Sequence, residues 1–401
     1  MRSSGATLIE GPKACGKTAT ASRVASTVFE MDQDASARAS VELNPDYLFG
    51  SPPPVLFDEW QVVPELWNQV RRAVDKSNRG RGLFLLTGSA TPKDDEDRHS
   101  GAGRISVLKM RPMSLFESGH SNGEVSLAAL IDGKKQIGGD NGLRVPDLMK
   151  RVVIGGWPDL LGADEPEARV WLEDYLRQIV EVDIPKVVGR RDPRGLMRVI
   201  TSLGRFVAQS PTTRAIMADA GGERGPVAPA TIYSYLDALD RLKLLDESEA
   251  WQPHMRSRVR LRSAATRYFV DPSIGVAALH VGGTDLLRDL NAAGFHFEAL
   301  VIRDLRIYAQ PLGGRIETWR DENGNEVDAI ISFPGGRWAA AEIKMSQRDV
   351  DAAAANLLRF SRLVDHGKHG EPSALMVITA TGAAGRRSDG VSVVPITALR
   401  P

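Results

Sequence analysis

Residues 6–18 read ATLIEGPKACGKT, the most informative stretch for the fold of the amino-terminal part of the chain. Residues 11–18, GPKACGKT, match the phosphate-loop pattern G-x-x-x-x-G-K-(S/T) in full. The apolar run Ala6–Glu10 before the loop predicts a strand, and Ala19–Val28 after it predicts a helix. A loop between a strand and a helix is where this pattern holds phosphate, because backbone N–H groups and the helix dipole both face the anion.

Each position of this loop has a predicted role. Gly11 and Gly16 let the backbone curl so that successive N–H groups face phosphate oxygens. Lys17 is expected to reach the β- and γ-phosphates, and Thr18 to offer its hydroxyl to Mg²⁺. ATP and Mg²⁺ are therefore the predicted cofactors. The remaining loop positions complete the predicted nucleotide-binding set: Pro12, Lys13, Ala14 and Cys15.

A second acidic element supports the phosphate-loop prediction. The segment 52–61, PPPVLFDEWQ, contains an apolar run at Val55–Asp58 that predicts a buried strand. Asp58 at its end is assigned to Mg²⁺, and the neighbouring Glu59 is assigned as the base that activates the attacking water. The alternative interpretation is that Asp58 and Glu59 are simply solvated residues at the end of a strand.

A third predicted strand, Leu83–Thr87, ends in polar residues. It is followed by Gly88 and Ser89, and polar groups at such a strand end are suited to sensing the γ-phosphate or placing the lytic water. Ser89 is therefore counted among the nucleotide-binding residues.

The segment 98–111 supplies candidates for an arginine finger. Arg104 is the preferred one, acting in cis or on a neighbouring subunit, ahead of Arg98 and Arg111. The alternative is an ordinary surface arginine. A finger acting in trans would require self-association.

Composition narrows the class of protein. The 401 residues contain 51 basic and 51 acidic side chains, so net charge does not indicate a nucleic-acid partner and any such site must be local. Cys15 is the only cysteine, which is typical of a reducing compartment. No run approaches the roughly 20 apolar residues of a membrane span, and the loop pattern begins too early for a cleaved signal peptide. We expect a cytoplasmic protein with no membrane partner.

The pattern of apolar runs and helical periodicity divides the chain into four zones. Residues 1–120 alternate short apolar runs with helical patterns, including the amphipathic segment Glu65–Lys76, as in a parallel α/β sheet. Residues 121–185 predict a helical connector. Residues 186–260 predict three helices and a winged-helix-like domain. Residues 261–401 return to α/β texture.

The third zone offers two candidate contacts to DNA. The predicted helix Ala230–Leu244, with Thr231 as its cap, resembles a recognition helix, but it carries acidic as well as basic side chains. A helix that packs domains or binds protein is the favoured alternative. The segment 251–267 is more basic, and a solvated loop is an equal alternative there. Its arginines are Arg256, Arg258, Arg260, Arg262 and Arg267.

The last zone holds a D-x(n)-E-x-K arrangement of the kind found in restriction-type nucleases. Glu342 and Lys344 alternate along one predicted strand and so leave the same face, and Asp328 precedes them by one hairpin. Two carboxylates can hold Mg²⁺ while the lysine steadies the attacking hydroxide. Glu298, on the preceding helix, is a further predicted metal ligand. A charged pair on a sheet edge is the alternative.

The order of predicted elements around this cluster is α-β-β-β-α-β. We predict two helices and four strands there, in chain order Phe297–Ala309, Arg315–Arg320, Glu326–Ser332, Arg337–Lys344, Val350–Val364 and Ala374–Thr379.

Taken together, the motifs GPKACGKT, LFDEWQ, LTGSA, RHSGAGR and MRPMSLFESG resemble one group of bacterial AAA-type ATPases. The resemblance covers most of the chain and is strongest in residues 7–120. It implies that Gly11–Thr18 is Walker A and Val55–Glu59 is Walker B. It also implies a C-terminal domain of unknown function with a restriction-endonuclease-like fold.

The predicted fold class is therefore α/β, with a P-loop NTPase parallel sheet, a winged-helix middle and a restriction-endonuclease-like end.

The leading hypothesis is a Mg²⁺-dependent ATPase coupled to a DNA-associated, nuclease-like domain. A nucleotide-dependent switch whose C-terminal domain only binds a protein is the alternative. A small-molecule kinase is disfavoured, because a third strand ending in polar residues beside the DEW strand is typical of ATPases that activate water.

Overall fold

The computed structural model describes residues 3–78, 80–88, 100–189, 192–221, 225–252, 265–321 and 324–401. The chain divides into two compact units. Unit 1 consists of the described residues of 1–112, 183–190 and 236–244, and unit 2 of the described residues of 113–182, 191–235 and 245–401. Segments of the predicted second, third and fourth zones therefore share unit 2, and the four-domain division stays a prediction.

Unit 1 is built on a five-stranded sheet in which all pairings are parallel, with the order β2-β3-β4-β1-β5. Its strands are β1 Ala6–Glu10, β2 Thr27–Glu30, β3 Val55–Asp58, β4 Phe84–Gly88 and β5 Ile105–Lys109.

Burial of each strand follows its place in this sheet. All residues of the central strands β3 and β4 are buried, whereas the edge strands β2 and β5 leave most of their side chains partly or fully exposed. Central strands of a parallel sheet are covered on both faces, which explains why they read as unbroken apolar runs such as VLF and FLL.

The helices of unit 1 follow the strands closely. They are α1 Lys17–Ser22, α2 Ala35–Leu43, α3 Pro45–Phe49 and α4 Glu65–Lys76, joined by the inserted helix α8 Ile184–Val188. The amphipathic pattern of α4 is confirmed, since Leu66, Trp67, Val70 and Val74 are buried on one face.

Unit 2 is predominantly helical in its first half. Its helices there are α5 Leu127–Ile131, α6 Val145–Ile154, α7 Glu165–Gln178, α9 Pro193–Arg205, α10 Thr213–Asp219, the start of α11 Pro229–Arg241, α12 Pro272–Leu279, α13 Gly283–Arg288 and α14 Leu290–Ala309. A π-helical turn, Ile179–Asp183, follows α7.

The second half of unit 2 carries a mixed sheet of seven strands, in the order β7-β12-β13-β11-β10-β9-β8. Its members are β7 Gly138–Gly139, β8 Arg315–Arg320, β9 Glu326–Ser332, β10 Trp338–Lys344, β11 Ala374–Thr379, β12 Ala383–Arg386 and β13 Ser392–Pro395. The remaining elements are α15 Val350–Leu363, α16 His366–His369 and the parallel pair β6 Val125–Ser126 and β14 Leu399–Arg400. The predicted order α-β-β-β-α-β is observed as α14-β8-β9-β10-α15-β11.

Three predicted helices differ from those observed. The helix after the phosphate loop ends at Ser22 rather than Val28, because the β-favouring residues TVFE begin strand β2 at Thr27. Near the end of the predicted helical connector 121–185, where we expect a helix over Val170–Ile184, the π-helical turn separates α7 from α8. Thr231 lies inside helix α11, so it is not the cap.

Candidate functional site

The phosphate loop joins β1 to α1 as predicted, and its glycines are required by geometry. A Cβ on Gly11 would lie 2.3 Å from the carbonyl oxygen of Met110, so no side chain fits there. Gly16 adopts a left-handed conformation with φ 92°, and Ala14 lies in the same region with φ 60°. These turns wrap the loop around the amino end of α1, where a phosphate is favoured.

Lys17 is buried within the loop. Its ammonium donates hydrogen bonds to the carbonyl oxygens of Gly11, at 3.1 Å, and Pro12, at 2.7 Å. Burial lowers the pKa of Lys17, while the charges of Asp58 and Glu59 act in the opposite direction. The lysine therefore lies among the groups that the sequence assigned to phosphate and metal.

Thr18 and Asp58 connect the phosphate loop to the end of β3. The Thr18 hydroxyl donates to Asp58 Oδ1 across 2.8 Å, and the Thr87 hydroxyl of β4 donates to the same oxygen. Thr87 is fully buried, so it fixes Asp58 instead of facing solvent. Hydroxyl and carboxylate oxygens are ligands that Mg²⁺ accepts, and a phosphate-bound Mg²⁺ needs only one or two from the protein.

Glu59 lies beside Asp58 in a constrained backbone conformation. Its φ is 51°, a left-handed value that is uncommon for a residue other than glycine, and its carboxylate accepts a hydrogen bond from Gln61. Burial raises the pKa of Glu59, and the nearby charge of Lys17 opposes that rise. Sequence reasoning missed Gln61, although it stands two positions after the predicted base.

Arg104 lies far from the phosphate loop along the sheet. It immediately precedes β5, and its carbonyl oxygen accepts from the N–H of Ala6, which places it at the amino ends of β1 and β5. Its Nε donates to Asp75 at 2.9 Å. The loop follows the opposite end of β1, about 13 Å away at about 3.3 Å per residue. This position disfavours the cis alternative and leaves the trans alternative as a prediction. Ser89 and Arg98 lie outside the described residues.

Cys15 is fully buried inside the loop. Burial raises the pKa of its thiol, which agrees with a space-filling role rather than that of a nucleophile. The side chain of its neighbour Lys13 is partly exposed and forms an ion pair with Asp183.

In unit 2, the structure brings Asp328, Glu342 and Lys344 together on one side of the sheet. The Lys344 ammonium lies 3.2 Å from Asp328 Oδ2 and 2.7 Å from a Glu342 oxygen. Asp328 also accepts the backbone N–H of Ile343 at 2.7 Å. The alternation of Glu342 and Lys344 along β10, and the β9–β10 hairpin, produce the cluster as the sequence predicted.

Glu298, on α14, interacts electrostatically with this cluster. Burial raises its pKa well above the usual value, and the charge of Asp328 raises it further. Tyr268 donates its hydroxyl to Glu298 at 2.5 Å. Burial and the charge of Asp328 also raise the pKa of Glu342, to about 7, and Asp328 and Glu342 together raise that of Lys344.

An open cavity of about 470 Å³ lies over the cluster. Asn356 of α15 lines it and donates to Glu342 at 2.6 Å, while its own carbonyl oxygen accepts from Arg359 at 2.5 Å. Sequence reasoning missed both residues. They are separated from the D-x(n)-E-x-K pattern by a turn and half a helix, and only the packing of α15 on the sheet places them there.

In the part of the chain that the structure describes, no group of three or more His, Cys, Asp or Glu side chains is arranged to hold a metal ion. Asp328 and Glu342 instead share the Lys344 ammonium. Metal binding by Asp328, Glu342 and Glu298 therefore stays a prediction.

The candidate DNA contacts of the third zone have ionic partners where they are described. Lys243 pairs with Glu10 at 3.2 Å and Arg241 lies 3.7 Å from Asp237. Arg267 pairs with Glu247. The other four arginines of the basic segment lie within 253–264, outside the described residues.

Family models cover most of the chain in three pieces. Residues 3–118 match an AAA domain. Residues 145–285 match a domain of unknown function (DUF8612), and residues 293–399 match another (DUF4143). The matched residues 3–118 contain every residue that the sequence assigned to the nucleotide site.

The proteins to which this chain is similar share little sequence identity with it. An uncharacterized protein of Haemophilus influenzae is 28% identical over 217 residues, which are 54% of this chain. The chain spans about half the length (50%) of that curated relative. The Walker-type ATPase PABY2304 of Pyrococcus abyssi is 13% identical, with a TM-score of 0.41 over 69% of this chain and 91% of that one. ORC1 of Aeropyrum pernix, in complex with DNA, has 13% identity and a TM-score of 0.24 over 71% and 88%. These scores are too low to establish a shared fold.

No helix among the described residues has the length and apolar character needed to cross a membrane.

Proposed function

We propose that the AAA domain binds ATP with Mg²⁺ and hydrolyses it. The observation that carries this proposal is the 2.8 Å hydrogen bond between Thr18 and Asp58, which joins the phosphate loop to an acidic strand end. An isolated Gly-rich turn would not require such a partner. Strand β4 lies between β1 and β3, and this position of the third strand supports water activation over transfer to a small substrate.

Different residues of the chain bind the phosphates and activate the water for hydrolysis. Backbone N–H groups of the loop orient the phosphates, and the Lys17 ammonium moves from loop carbonyls onto the β- and γ-phosphates. Glu59 accepts a proton from the attacking water, and burial, which raises the pKa of its carboxylate, makes it a stronger base. Mg²⁺, held by Thr18 and Asp58, supplies positive charge to the phosphate oxygens when bound.

Calorimetric titration of ATP with Mg²⁺ tests this proposal. Wild type is expected to bind, and Lys17→Ala to lose binding nearly completely. Lys76→Ala, at the exposed end of α4, is the matched control and is expected to bind like wild type. Equal binding by wild type and Lys17→Ala would contradict the proposal.

We propose further that unit 2 is a nuclease-like, DNA-associated domain served by the ATPase. This second proposal is supported by the convergence of Asp328, Glu342 and Lys344 beneath an open cavity. The α-β-β-β-α-β order supports a restriction-endonuclease-like fold, but a fold does not by itself establish an activity. The competing proposal is a protein-binding platform, in which the Lys344 bridge only neutralises two buried carboxylates.

A cleavage assay separates the two possibilities. DNA and RNA, single- and double-stranded, are incubated with wild type and Mg²⁺ or Mn²⁺, with and without ATP. Metal-dependent cleavage is expected for a nuclease. Absence of cleavage on every substrate favours the binding platform. Self-association, a cytoplasmic location and a winged-helix middle stay predictions.

A further inference from the structure

Lys13 has an unusual position for a phosphate-loop residue. It is a second cation in a loop that already contains Lys17, and its side chain is 45% exposed. Its ammonium pairs with Asp183 across 2.6 Å, and the Asp183 side chain is only 8% exposed. Asp183 lies 170 residues away along the chain, at the end of the π-helical turn.

Lys13 belongs to the phosphate loop itself, two residues after Gly11 and four before Lys17. The turns of this loop wrap around the amino end of α1, where a phosphate is favoured. The Lys13 ammonium is therefore carried by the same loop that would hold the phosphates of ATP. Arg104, the finger expected from the sequence, lies at the opposite end of β1.

We propose that Lys13 supplies, in cis, the positive charge that stabilises γ-phosphate cleavage, and that Asp183 controls its availability. This inference rests on the proposed ATPase function. Without a γ-phosphate, Asp183 holds the ammonium. With ATP bound, three phosphate oxygens compete for it, and Lys13 moves over the loop towards them.

The step that Lys13 assists is ordinary hydrolysis. The oxygen of water forms a bond to the γ-phosphorus, and the bond from that phosphorus to the bridging oxygen breaks with its electron pair leaving on ADP. The proton of the water goes to Glu59. Lys13 gains and loses no proton; its ammonium offsets negative charge on the γ-phosphate oxygens as the bond breaks. The products are ADP and inorganic phosphate.

Asp183 is a positioning residue: it acts by holding the Lys13 ammonium. Its carboxylate is mostly buried, so it favours retention of a cationic partner. Because Asp183 directly precedes α8, release of Lys13 would also free this part of the chain from the phosphate loop. Nucleotide charge would thereby be sensed by a segment outside residues 3–118.

The test compares ATP turnover and fluorescent-ADP binding of the full chain in five forms. These are wild type, Lys13→Met, Lys13→Arg, Asp183→Asn and the double variant Lys13→Met/Asp183→Asn. Lys13→Met is expected to reduce kcat about a thousandfold, the lower end of the effect of a cationic finger, with ADP affinity nearly unchanged. Lys13→Arg should retain part of the rate. The double variant removes the buried charge that Lys13→Met leaves unpaired, so the result does not depend on that variant folding.

Asp183→Asn is expected to lower KM for ATP several-fold without changing ADP affinity, because Lys13, no longer held by the Asp183 carboxylate, reaches the γ-phosphate, which ADP lacks. In the Lys13→Met background the same change should have no effect on KM. A wild-type rate in Lys13→Met or in the double variant would overturn the role of Lys13. An equal effect of Asp183→Asn in both backgrounds would overturn the role of Asp183. Absence of turnover in wild type would overturn the ATPase proposal and this inference together. Turnover in wild type that is unchanged in Lys13→Met would overturn this inference alone, so the two failures are distinguishable.

Discussion

The hydroxyl of Thr18, on helix α1, donates to the carboxylate of Asp58, at the end of strand β3, across 2.8 Å. Thr87 donates to the same carboxylate from the strand between β1 and β3. Helix α1, strand β3 and strand β4 thus meet at one carboxylate oxygen, Asp58 Oδ1, at the carboxyl edge of a parallel sheet, where ligands of open α/β folds bind.

The first prediction concerns the Thr18 hydroxyl. Thr18→Val keeps the size of the side chain but removes the oxygen, so Mg²⁺ should no longer strengthen ATP binding. Thr18→Ser keeps the oxygen and should behave like wild type. Calorimetric titration of ATP with and without Mg²⁺ measures the difference, and equal Mg²⁺ dependence in both variants would contradict the assignment.

The second prediction separates binding from chemistry at Glu59. Glu59→Gln should keep ATP affinity and lose turnover by at least about a hundredfold, because the amide cannot accept the proton of the water. Glu30→Gln, an exposed change at the end of β2, is the control and should keep turnover. Phosphate release under saturating ATP is the measurement. Turnover of Glu59→Gln at the rate of this control would exclude Glu59 as the base.

The third prediction concerns Arg104. Its guanidinium pairs with Asp75 at the amino ends of the strands, so Arg104→Ala should leave turnover unchanged at low protein concentration. A role in trans would appear as turnover per chain that rises with concentration in wild type but not in the variant. Loss of turnover at every concentration would instead favour a role within one chain and contradict the position described above.

The fourth prediction concerns the C-terminal cluster. If wild type cleaves nucleic acid with Mn²⁺ or Mg²⁺, then Asp328→Ala and Lys344→Met should each abolish cleavage and leave ATP turnover intact. Glu371→Ala, an exposed change in the same unit, is the control. Cleavage by Asp328→Ala at the wild-type rate would assign the activity to another site or to a contaminant.

The fifth prediction concerns stability of unit 2. Arg303 is buried between two carboxylates, with Nη1 at 2.8 Å from Asp271 and Nη2 at 2.7 Å from Asp304. Arg303→Met leaves both carboxylates uncompensated and should cost about 3–5 kcal/mol of unfolding free energy. Arg288→Met, which breaks an exposed pair with Asp285, should cost about 1 kcal/mol or less. Urea unfolding compares the two, and similar costs would show that burial of the Arg303 network is unimportant.

Local sequence alone predicted the elements that carry these groups. The strands Ala6–Glu10, Val55–Asp58, Glu326–Ser332 and Ala374–Thr379 have the predicted bounds, because short apolar runs bounded by turn residues favour strands. The phosphate loop was readable for a similar reason, since contiguous residues supply almost all of its geometry. The period-two alternation of Glu342 and Lys344 likewise fixed their shared face in advance.

Tertiary structure determined the contacts between residues that lie far apart in sequence, which no local pattern predicts. The pairing of Lys13 with Asp183 joins positions 170 residues apart, and Asn356 reaches Glu342 only because α15 packs on the sheet. The place of Arg104 at the amino ends of β1 and β5 also needed the tertiary structure, because nearness to the loop in the chain says nothing about which end of a parallel strand a residue occupies. The sequence by itself determined the loop, the acidic strand ends and the D-x(n)-E-x-K pattern, which depend on neighbours in the chain. Folding decided which charges meet, because long-range ion pairs depend on the packing of elements that lie far apart in sequence.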